Sequence, residues 1–355
     1  MTSPSSPDRW GLPLGLSAFV LWGAMPLFFP LLEPAGPVEI IAHRVVWSLV
    51  FCVVLLLVTR TFGSFLAVLR NGRVMGALAV ASVLIIANWT TYVYAVLSGH
   101  VLDAALGYFI NPLLTVLLGV LVLRERLRVA QWVALGFGAA AVVVISTGVG
   151  GLPWIALVLA GAFGLYSLVK NRVGRDVGAL PGLAAETAVA TPFALAYLVV
   201  LGVTGVGTFT TEGVGHALLL AACGVITGLP LLLFSAAARR LPLSVVGMLQ
   251  YLTPVLQFLL GLLVFGEHMP PTRWAGFVLV WVALVILTAD GTRQARASRL
   301  ATRDAAGAGG APGGPPPPNS PSSASTTPSP TSSGTRRTAG STEGGRGAGR
   351  DPRRG

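Results

Sequence analysis

Charge is scarce in this chain. Of its 355 residues only 10% are Asp, Glu, Lys or Arg, against about 25% in a soluble domain. A surface facing water cannot be covered with so few charges. A soluble fold is excluded unless the apolar residues, 54% of the chain, are scattered, and they are clustered. Cysteine is nearly absent as well: Cys52 and Cys223 each lie in an apolar run and read as small core residues, not as a disulfide. Lys170 is the single lysine beside 23 Arg, a bias of genome composition with no mechanistic meaning. There is no P-loop, no CxxC, no HExxH and no basic patch interleaved with aromatics, and the four His (43, 100, 216, 268) lack metal-ligand spacing. These absences exclude a primary pump within the chain and a nucleic-acid partner, and no cofactor or metal is expected. A membrane-embedded enzyme would need a paired Asp, a Ser/His pair or a His-rich site, and none stands out, so the chain reads as no enzyme. The alternatives to a transporter are such an enzyme, or a non-transporting scaffold or channel.

What is present is length in apolar runs. A helix crossing the hydrocarbon core needs about 20 mostly apolar residues. Ten stretches qualify, near 11–31, 38–58, 74–96, 101–123, 129–147, 152–169, 181–201, 215–236, 243–265 and 272–289. The first is too long, and too weakly preceded by charge (Arg9), for a cleaved signal. Loops two to three, four to five, six to seven and eight to nine carry Arg or Lys, and the other loops carry only Arg273. By the positive-inside rule both termini are cytoplasmic, in a multi-pass protein of the cell membrane. The net charge of +11 lies mostly after Gly291, where ten Arg face three acids for +7, leaving +4 for the rest. That segment, 291–355, is rich in Pro, Gly, Ser, Thr and Ala and reads as a disordered basic cytoplasmic tail, with residues 1–10 as a short cytoplasmic N-terminus.

A shift of 142 lays Pro112 on Pro254, Leu118 on Leu260, Gly119 on Gly261, Glu125 on Glu267 and Trp132 on Trp274. Segments four and five therefore repeat as nine and ten, and an odd number of spans per half forces the halves into opposite orientations. The fold expected is all-α and integral to the membrane, with ten transmembrane helices as two inverted five-helix repeats, 11–147 and 152–290. That is a recurrent architecture of secondary transporters, with the substrate site at the repeat interface near mid-membrane.

Candidate pathway residues follow from polarity inside the spans. Segment two holds Glu39, His43 and Arg44; Glu39 and His43 share a helix face, and Arg44 reaches an adjoining one. An Arg at a helix centre costs about 2.5–3.5 kcal/mol on insertion scales and needs a partner or a watery cavity, so it marks a functional candidate; snorkelling or carbonyl binding is the structural alternative. Glu186, in segment seven, is the matching acid, either a proton-coupling carboxylate or a hydrogen-bond acceptor. An inverted pair would hold Arg44 and Glu186 about 10 Å apart in depth, so no direct ion pair is expected. The set is completed by Trp22, Asn88, Tyr108, Asn111, Gln250 and Tyr251, the last four lying just before Pro112 and Pro254. Each proline frees the carbonyl four residues back, which makes matched kinks in the two halves a pointer to the binding region or a pair of structural bends. Trp89, Tyr92 and Gln257 belong to the same aromatic and amide group, whereas Tyr94 reads as an interface anchor. Glu125 and Glu267 read as charges capping hairpins.

The runs LGYFINPLLTVLLGVLVLRER, AHRVVWS, ANWTTYVYAV and QYLTPVLQFLLGLLVFGE, with Glu-Thr in segment seven, resemble the RarD-type sequences of the EamA branch of the drug/metabolite transporter superfamily. The likeness covers roughly residues 11–290. It implies a ten-helix inner-membrane permease with two EamA repeats moving a small metabolite or drug-like solute; the label chloramphenicol-sensitive that such proteins often carry assigns no substrate. Where RarD-like sequences place a Lys late in the first span, this chain has Pro30 in PLFFPLL, so any role of that Lys is absent. The partners expected are a small-molecule solute, a coupled proton or other ion and the lipid bilayer; a homodimer is compatible with the sequence.

Overall fold

The computed structural model describes residues 10–124, 127–173 and 177–308. All ten apolar stretches are helical. The order is α1 (Gly11–Ala24), two 3-10 turns (Met25–Leu27 and Phe29–Leu32), α2 (Pro37–Val58), α3 (Phe62–Arg70), α4 (Gly72–Leu97), α5 (Val101–Leu123), α6 (Val129–Val149), α7 (Trp154–Val173), α8 (Ala179–Thr204), α9 (Gly213–Ala238), α10 (Leu243–Leu249), α11 (Leu252–Leu263) and α12 (Pro271–Ala308). Among the described residues eight helices are long and apolar enough to cross a membrane, and nine if α1 and its 3-10 extension, bent by 43°, form one span; Trp154–Lys170 is a shorter apolar helix. The protein is therefore an all-helical, multi-pass membrane protein.

The breaks have local causes. Pro26 and Pro30 stand at the start of each 3-10 turn; neither has an N–H to continue an α-helical ladder. The two prolines expected to kink matching helices behave differently. Pro112 sits inside an unbroken α5, whereas the helix of the second half stops at Leu249 and restarts at Leu252, with Pro254 in the first turn of α11. The matched pair of kinks is corrected to one true break.

Two further corrections concern loops. The Arg-rich connection after α2 contains α3, which buries Phe65 and Val68 against α4 and α8. The helix α12 runs past Asp290 to Ala308, so the start of the segment read as a disordered tail is helical. Its TRQARASRLATRDAAGA stretch is rich in Ala and Arg, both strong helix formers. Residues 309–355, like Glu125, lie outside the described residues.

Within the compact unit that ends at Leu300, eight helices close a ring. Following the packed neighbours, it runs α1, α9, α2, α8, α4, α7, α5, α11 and back to α1. Every neighbour comes from the other half of the chain. Outside the ring, α6 lies against α5, and α12 joins the same side through Phe277, Val280 and Ala283.

Small residues set the closest approach. Gly224 and Gly228, four apart on α9, form the small-xxx-small pattern that lets membrane helices touch. A Cβ on Gly224 would stand 2.3 Å from the Trp47 carbonyl oxygen, and one on Gly228 2.4 Å from the Phe51 ring. Gly224→Ala should push α9 off α2 and cost about 1–3 kcal/mol, read as a lower melting midpoint in detergent. Gly136→Ala, where nothing lies within 4 Å of the new methyl, should melt like the parent; equal midpoints for the two variants would refute the packing account.

Candidate functional site

Close packing of α2 on α9 brings Thr227 to Arg44. Arg44 is 4% exposed; its Nε donates to Thr227 Oγ1 at 2.8 Å, and that hydroxyl donates to the Cys223 carbonyl at 2.7 Å. The guanidinium lies over the Trp89 ring at 4.0 Å, a cation–π geometry. Its Nη1 has no hydrogen-bond partner. Cys223, Tyr108 and Tyr92 lie within its electrostatic reach.

Around this cation an amide and phenol network ties five ring helices together, α1, α4, α5, α7 and α11. Tyr108 on α5 donates to Asn88 Oδ1 at 3.3 Å, and Asn88 Nδ2 donates to the Leu159 carbonyl of α7 at 2.9 Å. Gln257 of α11 donates from Nε2 to the Tyr92 hydroxyl at 2.8 Å and to the Trp22 carbonyl at 3.4 Å, leaving Oε1 unpartnered. Tyr92 and Tyr108 meet edge to face at 5.7 Å, and the Trp22 ring packs on Phe19 and Phe234. Of the sequence candidates, Trp22, Arg44, Asn88 and Tyr108 thus converge in the ring, joined by Trp89, Tyr92 and Gln257. Asn111 is buried with Oδ1 unpartnered and makes no polar contact with this set.

Other candidates lie elsewhere. Gln250 is exposed at the α10–α11 break, and Tyr251 lines an apolar groove of about 710 Å³ with Phe109, Phe258 and Trp281. Neither shares a hydrogen bond with the Arg44 group among the described residues. His43 stacks on Phe209 at 4.7 Å with both ring nitrogens unpartnered. One turn earlier, Glu39 Oε1 accepts from the Thr208 N–H at 2.7 Å and its hydroxyl at 3.0 Å, and His216 Nε2 lies 2.8 Å from that hydroxyl.

Glu186 is 2% exposed and is held by Lys170 Nζ at 2.8 Å, with the Tyr166 hydroxyl at 3.5 Å. No ion pair joins it to Arg44 among the described residues. Lys170 and Tyr166 were missed: in sequence the lysine reads as a loop charge setting topology, and only its place directly after an apolar run could have flagged it.

A charged cluster closes the α5 end of the ring. The Glu267 carboxylate accepts the backbone N–H groups of Val101 and Leu102, the latter at 3.0 Å, so it caps the N-terminus of α5 and not its own hairpin. Burial pushes its carboxyl above the usual carboxylate range, while the two amides and Arg273 pull it back. Arg273 pairs with both Asp103 oxygens at 2.9 and 3.0 Å, which explains how the one Arg outside the charge alternation is accommodated. Asp290 pairs with Arg128 at 2.9 Å. Both cysteines are free and buried.

Against known proteins, the model of the EamA-like transporter family matches twice, over residues 9–147 and 152–289. The protein RarD of Streptomyces exfoliatus is 53% identical, across 84% of this chain and 94% of its own length. An uncharacterised transporter of Pseudomonas aeruginosa is 43% identical, across 81% and 96%. A crystal structure described only as that of a protein superposes with a TM-score of 0.52 at 20% identity, covering 80% of this chain and 98% of that one, a likeness of fold alone.

Proposed function

The chain belongs to the EamA-like transporter family, and from that premise we propose that it is a secondary-active permease of the RarD type, moving a small organic solute by alternating access. The observation that carries this reading is the ring in which helices of the two halves alternate around one buried cation, Arg44, with its amide and phenol network. A static pore needs no such interleaving. Two halves that each supply every second helix can rock against one another about a central site.

In this reading the apolar helix at Trp154–Lys170 also crosses the bilayer, giving ten spans in two inverted repeats; the double match of the family model and the alternation of Arg between loops support it. The solute site is the Arg44 group with Trp22, Asn88 and Tyr108, and Glu186 is the carboxylate suited to carry a coupling proton. Both termini face the cytoplasm.

Two experiments test this. Purified protein in proteoliposomes should show counterflow of a solute drawn from a metabolite screen of a deletion strain; a scaffold or an enzyme gives none. Cysteines placed at Gly150 and Gly207 should label from outside intact cells, and those at Thr61 and Asn171 only after permeabilisation. Labelling of Asn171→Cys in intact cells refutes the inverted arrangement.

A further inference from the structure

Each buried carboxylate among the described residues already has its partner. Glu186 is held by Lys170, Asp103 by Arg273, Glu267 by the amides that open α5, and Glu39 by Thr208. Glu33 and Glu212 are exposed, and Asp290 pairs with Arg128. Among the described residues Arg44 is the buried cation with no anion: its contacts are a neutral hydroxyl and an indole face, and its Nη1 has no hydrogen-bond partner. Burying a charge without a counter-charge is strongly unfavourable, and a ring stacked at 4.0 Å offsets only part of it. Arg273 also leaves its Nε unpartnered, but it has an acid to neutralise it, Asp103, whose two oxygens both accept from its Nη2; Arg44 has none. Arg44 keeps its Nε engaged and its Nη1 vacant.

We propose that the solute is a small oxyanion, a carboxylate or a compound of equal charge and geometry, that docks on the Nη1 edge of Arg44 and supplies the counter-charge the protein withholds. The inference rests on the transport reading for its name of solute, but its chemistry is that of the isolated site. Two N–H groups of a guanidinium presented side by side fit a carboxylate. The aromatic surroundings, Trp89, Tyr92 and Tyr108, favour an apolar or unsaturated body behind the charged end.

The test builds the anion in. Thr227→Asp places a carboxylate where the Thr227 hydroxyl meets Arg44; Thr227→Asn has the same shape without the charge. With no solute present, the Asp variant should melt about 5 °C above the Asn variant in detergent, and the gap should vanish when Arg44→Gln is added to both. An Asp variant melting at or below the Asn variant overturns the proposal, because Arg44 would then need no anion. If the Asp variant does not express, the parent protein decides: acetate, benzoate or inorganic phosphate should raise its melting midpoint while acetamide and benzamide do not, and the oxyanion that succeeds separates carboxylate from phosphate. An amide that shifts the midpoint as much as its acid, or no shift from any of the three oxyanions, overturns it. Melting requires no transport, so a protein that passes here yet shows no counterflow separates this inference from the transport reading.

Discussion

Arg44→Ala should cut transport severely while leaving the protein in the membrane at close to its normal level. Removing an arginine from the helix relieves about 2.5–3.5 kcal/mol of insertion cost, so the variant should not fail for lack of hydrophobicity. It loses one hydrogen bond, to Thr227, and the stack on Trp89, the latter worth about 0.5–2 kcal/mol, and these losses roughly balance the relief. The solute, by contrast, loses a charged partner. A charge-assisted hydrogen bond contributes about 1.5–3 kcal/mol, so at about 1.4 kcal/mol per factor of ten the counterflow rate should fall by one to two orders of magnitude. Arg44→Lys should be intermediate: it keeps the charge but loses the planar fork that can hold Thr227 with one edge and a ligand with the other. The measurement is initial counterflow in proteoliposomes, normalised to inserted protein. Arg44→Ala at the wild-type rate with unchanged apparent affinity would show that the buried cation only packs.

Much of this architecture is legible in the sequence because the bilayer imposes a single length scale. Runs of about 20 apolar residues are visible one at a time, and each of the ten marks a helix. What is not legible depends on contacts between segments. Pro112 and Pro254 look equivalent in the repeat, yet α5 closes over its proline and α10–α11 does not; neighbours decide whether the freed carbonyl is tolerated. Gln250 and Tyr251 stand at that break. Arg44 announces itself by its cost, but Thr227 does not, because a threonine in an apolar helix is ordinary until the Gly224 and Gly228 spacing is seen to bring two helices together. Amphipathic α3 was hidden for the opposite reason: at Phe62–Arg70 it is too short for a span and was absorbed into a loop defined by its arginines.

Lys170 shows the same limit with a larger consequence. Its ammonium is 2.8 Å from Glu186, with side-chain exposures of 30% and 2%. Lys170→Ala should therefore strand a buried carboxylate beside Tyr166. Breaking a fully buried pair costs about 3–5 kcal/mol, and the partial exposure of the lysine places this one toward the lower end. Glu186→Gln, which leaves a neutral amide for Lys170 to meet, should cost less. Adding Glu186→Gln to Lys170→Ala should recover part of the melting midpoint lost by Lys170→Ala, since no lone charge stays buried; a double variant no more stable than Lys170→Ala would mean that the pair is incidental. The same carboxylate change in an Arg44→Ala background should rescue nothing, because Arg44 and Glu186 share no partner. Transport then separates structure from coupling. A coupling carboxylate predicts that Glu186→Gln loses uptake driven by a proton gradient yet keeps solute exchange, because exchange needs no net proton movement. Gradient-driven uptake that survives Glu186→Gln would reduce Glu186 to an anchor for α7, and coupling would have to be sought in another buried titratable cluster, such as Glu39 and His216 bridged by Thr208 with His43 one turn away.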